Sequence, residues 1–290
     1  MWSKPRLMMT FDIEDNFARD ELRRDADWEV YEGQVLPNTE KIVALLQALK
    51  ADATFFVLGK VATRRPEVVR CIDRAGFEIA SHGYAHELVP RMNEMSFEDD
   101  LKRSLGVLED IIGKKVVGYR ARSFSISRKT PWALDVLARN GIEFDSSLTD
   151  TEFQAITGQE STVPRRLPEH PFVEIPISTA QIAGRRVTIC GGSVLRLAPH
   201  PLWAQVLDTS ASFKGCPMLY CHAWEFNRDQ PRRKVGMLQS LAQASWTYTT
   251  PQKVARLAER YDFTSIRSYL RDGALSAEST PCADHLGSST

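Results

Sequence analysis

The 290-residue sequence predicts an α/β fold of parallel strands, read as a single domain over residues 1–272 with a separate tail at 273–290. Three observations carry this. Short apolar runs alternate with helix-length amphipathic segments, a rhythm that implies parallel strands joined by crossover helices. Several of those runs end in acids, histidines or arginine, the way an α/β fold presents functional groups at the carboxyl ends of its strands. The composition, 43% hydrophobic and 26% charged, is that of a globular chain, and an α/β barrel reaches this length as one unit.

The elements follow in order. Leu7-Met8-Met9-Thr10-Phe11 is a short buried strand that runs into Asp12-Ile13-Glu14-Asp15, three acids in four residues. Pro37-Asn38-Thr39 caps a helix with Ile42, Leu45, Leu46 and Leu49 at helical spacing. Residues 53–58 form a second strand, and residues 66–75 a helix closed by Gly76. Residues 77–80 are a third strand, leading into Ser81-His82-Gly83-Tyr84-Ala85-His86-Glu87. Residues 96–112 are a long amphipathic helix with Ser96 as N-cap and Gly113 as its stop. A strand over 116–119 enters Arg120-Ala121-Arg122-Ser123-Phe124-Ser125, and Thr130-Pro131 opens a helix that ends at Asn140-Gly141. Ile142-Glu143-Phe144 then leads to Asp145-Ser146-Ser147.

Between residues 150 and 171 periodicity is lost, and a long functional loop is expected there. Strand text resumes at 172–176 and again around 186–189. Residues 217–221 are a last buried strand, which delivers His222. A helix over 251–260 and the stretch 261–266 complete the body, and residues 273–290, rich in Ser, Ala and Gly, read as a disordered tail.

Lys plus Arg equals Asp plus Glu at 37 each, so no global charge points to nucleic acid or an anionic membrane. The basic run Arg232-Arg233-Lys234 reads as a solvated loop. No run of about 18 apolar residues is present, and the N-terminal residues lack a secretory pattern, so neither a membrane span nor a signal is expected. Five cysteines without zinc-finger spacing read as reduced thiols, and a cytoplasmic location is the expectation. The oligomeric state is not legible.

His82 and His86 stand four apart. On one face of a helical turn both rings would reach a single point, and neutral imidazole is the commonest ligand for Zn²⁺. The pair alone would equally suit a surface turn with solvated histidines. Acids at the end of the first strand could complete a shell, either Glu14 or Asp15; alternation along an extended chain puts Asp12 and Glu14 on one side and favours Glu14. Arg120 could be a plain ion-pair residue, Asp145 a turn cap, and His222 a core histidine. His170 and His200 precede prolines in loops and read as structural or solvated.

Taken together these stretches resemble the polysaccharide deacetylase family, the carbohydrate esterases with the nodulation-factor deacetylase domain. Thr10-Phe11-Asp12 with the following acids looks like its first motif, Ser81-His82 with His86 its second, Gly118-Tyr119-Arg120 its third and Leu219-Tyr220-Cys221-His222 its last. Phe11-Asp12-Ile13-Glu14-Asp15, Phe144-Asp145-Ser146-Ser147, Val173-Glu174-Ile175-Pro176 and His222-Ala223-Trp224-Glu225-Phe226 are similar to the subgroup found with bacterial exopolysaccharide clusters.

The resemblance implies a distorted (β/α) barrel with about seven parallel strands and metal-dependent hydrolysis of an N-acetyl sugar. It implies a divalent metal, most simply Zn²⁺, on His82, His86 and one acid. It makes Asp12 the general base, Arg120 the cation that orients it, and His222 the general acid. A backbone N–H near Ser123 would serve the oxyanion, and Asp145, a loose match, would tune His222. Arg122 stands where the subgroup has proline and would add a cation near the mouth. Trp224, Tyr84 and Phe124 are candidate sugar platforms. Rival readings are a related amidohydrolase acting on a ureide or cyclic imide, and a catalytically dead sugar-binding domain, which would lack the base or the acid.

Overall fold

A computed structural model describes residues 4–14, 34–159, 161, 164–177, 179–182, 185–197, 216–227 and 249–272. Asp15, the 232–234 basic run, Cys282 and the expected tail lie outside these residues.

The central sheet is built on β1 (Arg6–Ile13), with β10 (Met218–His222) on one side and β2 (Thr54–Val57) on the other. Beyond β2 follow β3 (Glu78–Ser81), β4 (Gly118–Tyr119), β5 (Phe144–Asp145) and β7 (Val173–Glu174), all parallel. β6 (Arg165–Arg166) lies antiparallel on the outer edge of β7. β11 (Asp262–Thr264) pairs in parallel with Arg6–Met8 of β1. β8 (Thr179–Ile182) and β9 (Arg185–Thr188) form a separate hairpin.

Side-chain alternation divides the core in two. Leu7, Met9, Phe11 and Ile13 of β1, with Phe55 and Val57 of β2, face the helices and join the larger cluster. Met8, Phe56, Phe144, Val173 and Met218 face the other way into one inner cluster. Met8 and Val173 stand five strands apart in sheet order, so sharing a cluster means that the sheet curls into a half barrel. Thr10 and Asp12 continue the inner face of β1, and Asp12 is the register partner of His222 on β10.

Helices cover the outer face: α1 (Val35–Leu49), α2 (Gly59–Arg64), α3 (Pro66–Arg74), α4 (Glu94–Ile112) and α5 (Trp132–Arg139). After them come α6 (Asp150–Thr157), α7 (Gly192–Leu197), α8 (Thr250–Ala258) and α9 (Ile266–Arg271). Two expected caps are displaced. α1 begins before Pro37, with Asn38 and Thr39 buried inside it and Thr39 Oγ1 bonded back to the Val35 carbonyl. α4 is capped by Asn93, and Ser96 is the reciprocal partner of that capping box. Gly113 ends α4 in the left-handed region, as its position predicts.

The expected loop over 150–171 contains structure. α6 starts at the Thr149 cap, whose Oγ1 accepts the Glu152 N–H, and β6 extends the sheet. Two turns of helix are too short to show a periodicity.

Candidate active site and metal centre

The histidine turn is not helical. β3 stops at Ser81, Gly83 has φ +73° and His86 has φ +58°. The amides that a helix would send to its own carbonyls go to α4: Tyr84 and Ala85 donate to the Asp100 carboxylate at 2.7 and 2.8 Å. Ser104 donates to the Gly83 carbonyl at 3.0 Å and bonds Ser81 Oγ at 2.8 Å. A Cβ on Gly83 would meet Asp100 Oδ2 at 3.0 Å, in a conformation glycine tolerates best. The two rings therefore converge through a clamped loop rather than one helical face, with centroids 5.1 Å apart.

Glu14 meets them. Its Oε2 lies 2.5 Å from His86 Nε2 and 3.9 Å from His82 Nε2, and the three candidate ligand atoms fall within 4.8 Å of one another. His82 Nδ1 lies 2.9 Å from the Arg120 carbonyl oxygen. A carbonyl can only accept, so Nδ1 carries the hydrogen and Nε2 turns its lone pair toward Glu14. Burial, followed by repulsion from His86, pushes the His82 pKa down despite Asp12 and Glu14, which favours the neutral, ligating ring. Burial opposes ionisation of Glu14, but His86, then His222 and His82, outweigh it and hold the carboxyl well below its usual range. Two imidazoles and one carboxylate oxygen, all buried, form a possible metal site whose donor set fits a divalent cation of the zinc class.

Asp12 stands beside this cluster. Its Oδ1 is 2.8 Å from Arg120 Nη1, which also donates to Thr10 Oγ1 at 3.0 Å. Arg120 Nη2 reaches Ser146 Oγ at 3.2 Å and Met218 Sδ at 3.0 Å, and the guanidinium lies 3.9 Å above the Phe56 ring. Burial works against the Asp12 anion, yet Arg120, His82 and His222 keep its pKa below the ordinary value.

His222, 24% exposed, puts Nε2 3.6 Å from Glu14 Oε1. Burial would lower its pKa, but Glu225, Glu14 and Asp12 raise it to about 9. Trp224 stacks on this ring at 5.5 Å and is itself buried, so its face is turned to an imidazole.

Asp145 is elsewhere engaged. Its Oδ1 accepts from Ser147 Oγ at 2.6 Å, and burial raises its pKa to about 6 beside the equally buried Glu174, whose own is pushed higher. The carboxylate that faces His222 Nδ1 is Glu225, at 3.6 Å. Ser147 Oγ in turn accepts the Ala121 N–H at 2.8 Å, which ties Asp145 to the loop after β4. Arg122 is buried instead of lining a mouth, and its Nη1 donates to the His86 carbonyl at 3.0 Å. Ser123 is exposed at the crest of the turn Arg122–Phe124, and Ser123 and Phe124 are both left-handed, at φ 52° and 54°. Glu225 and Glu174 stand in the subgroup's motifs but received no role from the sequence, and Asp100, which looks like any other acid of a helix, received none either.

Residues 3–144 match the family model for polysaccharide deacetylase, and residues 146–271 match a family described as a domain of unknown function. The two matches share one sheet, since β7, β10 and β11 belong to the second. A peptidoglycan deacetylase of Helicobacter pylori is 30% identical over 113 residues, 39% of this chain, and the match spans only 38% of that protein. Among solved structures, a provisionally named polysaccharide deacetylase from Mycobacterium smegmatis has a TM-score of 0.67 at 23% identity, covering 99% of this chain and 97% of that one. An allantoinase gives 0.63 at 17%, covering 95% and 92%. The last two show a shared (β/α) barrel fold; the motif residues and the match over 3–144 show more, and the chain belongs to the polysaccharide deacetylase family.

Proposed function

We propose that this protein is a metal-dependent hydrolase that removes N-acetyl groups from a sugar of a bacterial exopolysaccharide, cell-surface glycan or precursor. The observation that carries the reading is the convergence in one site of Glu14, His82 and His86 with Asp12 and His222. The match to deacetylases acting on glycans supports the carbohydrate class.

Glu14, His82 and His86 would hold the cation, taken as Zn²⁺; when bound it supplies Lewis acidity, lowering a water's pKa from roughly 15.7 to near 7 and polarising an acyl oxygen. The chain does the rest. Asp12, kept anionic by Arg120, accepts the proton of the attacking water. Backbone amides of the turn Arg122–Phe124 would face the oxyanion, and its two consecutive left-handed non-glycine residues are the kind of strain that persists where geometry is functional. His222 Nε2 delivers a proton to the departing nitrogen as the C–N bond breaks, leaving acetate and a free amine. Asp12 then gives up its proton and His222 takes one back, through solvent, which restores both groups.

No helix among the described residues is long and apolar enough to cross a membrane. The described cysteines 71, 190, 216 and 221 are free thiols, which supports a reducing, cytoplasmic setting.

Acetate release from a panel of N-acetylated sugars, alongside opening of simple cyclic imides, tests the reading. Acetate release that stops with chelator and returns with Zn²⁺ is expected. Imide opening without acetate release would replace the carbohydrate by a ureide-type substrate.

A further inference from the structure

Glu225 is a fully buried carboxylate that the steps above do not use. It sits in the turn Ala223–Phe226 that follows β10. Its Oε2 accepts the His222 backbone N–H at 2.9 Å and lies 3.6 Å from His222 Nδ1. Its Oε1 stands 3.2 Å from Arg196 Nε on α7. Gly192, the first residue of α7, closes the remaining side, where a Cβ would lie 1.9 Å from Glu225 Oε2. The same arginine covers Trp224 at 4.8 Å, and Trp224 stacks on the His222 ring. His222 is thus walled on one flat face by Trp224, faced at Nδ1 by Glu225, and turned at Nε2 toward Glu14.

We propose that Glu225, anchored by Arg196 and seated on Gly192, is the positioning residue of His222, holding a proton at Nδ1 so that Nε2 is the nitrogen presented to substrate. A buried anion facing Nδ1 fixes the orientation of an imidazole and which nitrogen stays protonated. Asp145, to which the family resemblance loosely gave that duty, is bonded to Ser147 and lies against Glu174. Arg196, Glu225 and His222 all fall within residues 146–271, so the segment whose family has no known function supplies the proton donor and its support. The effect on turnover rests on the deacetylase reading; the contact between Glu225 and His222 does not.

The test uses the zinc-loaded full chain and the variants Glu225→Gln, Glu225→Asp and Gly192→Ala. In the wild type a downfield Nδ1–H proton resonance, assigned by its loss in His222→Ala, should be protected from solvent exchange. Glu225→Gln should lose that protection, keep its zinc and its KM, and lower kcat about 100-fold, within the range for general acid–base catalysis. Glu225→Asp should recover part of kcat. Gly192→Ala, which changes no ionisable group but displaces the carboxyl, should move both readouts in the same direction; it decides the matter if Glu225→Gln does not fold. An unchanged Nδ1–H signal in both variants overturns the proposal, as does a fall in kcat that tracks zinc loss and lowered thermal midpoint. Should the wild type release no acetate from any sugar, the deacetylase reading fails while the resonance still decides the role of Glu225.

Discussion

Arg120 Nη1 lies 2.8 Å from Asp12 Oδ1 with both side chains buried, although β2 and β3 separate their strands. The curl of the sheet permits it: the guanidinium crosses the barrel interior over Phe56 and ends beside Thr10, Ser146 and Met218. A buried pair of this kind fixes geometry and charge more than it adds stability, but breaking it strands a charge.

Arg120→Met is therefore expected to destabilise the fold by about 3–5 kcal/mol, read by urea unfolding at pH 7. Arg120→Lys should fall between, since one ammonium cannot reach Asp12, Thr10 and Ser146 together. A Met variant as stable as wild type would mean that Asp12 is neutral in the native state.

Asp12→Asn should remove turnover by about 100-fold or more while bound zinc stays near wild type by elemental analysis. Loss of zinc instead would make Asp12 a ligand rather than the base.

The metal centre makes a sharper demand. His82→Ala and His86→Ala should each lose stoichiometric zinc, and Glu14→Gln should do the same while Asp15→Asn retains it. Retention in Glu14→Gln with loss in Asp15→Asn would move the third ligand to the residue that lies outside the described part of the chain.

Asp100 touches no candidate ligand atom yet takes two amide hydrogens of the histidine turn. Asp100→Ala should weaken zinc binding about 10–100-fold, the usual cost of losing a group that orients ligands, with far-UV dichroism unchanged. Wild-type affinity in a chelator competition would show that the turn holds itself.

Asp145 and Glu174 give the protein a pH signature in stability. Burial raises both pKa values, that of Asp145 from 3.8 to about 6. Raised carboxyl pKa values mean that the native state favours the protonated form. The stabilisation is complete below about pH 4 and is lost as pH rises through 6. Asp145→Asn keeps an acceptor for Ser147 and supplies a donor toward Glu174. Its unfolding free energy should exceed that of wild type at pH 8 by on the order of 3 kcal/mol, and the gap should close near pH 4. Parallel pH curves for the two proteins would remove the buried pair from this account.

What the sequence determined was local. A period of two along β1 places Thr10, Asp12 and Glu14 on one face whatever the neighbours are, and the order of apolar runs and amphipathic segments dictates parallel strands with their functional ends together. It also named Arg120 and His222, because one follows directly on a short strand and the other ends one. The tertiary structure decided which of those groups meet. Glu225 rather than Asp145 faces His222, Asp100 grips a turn that is not helical, and Arg122 bonds the His86 carbonyl instead of reaching solvent. These pairings depend on how far the sheet curls and how each loop leaves its strand, and short-range patterning carries no information about either.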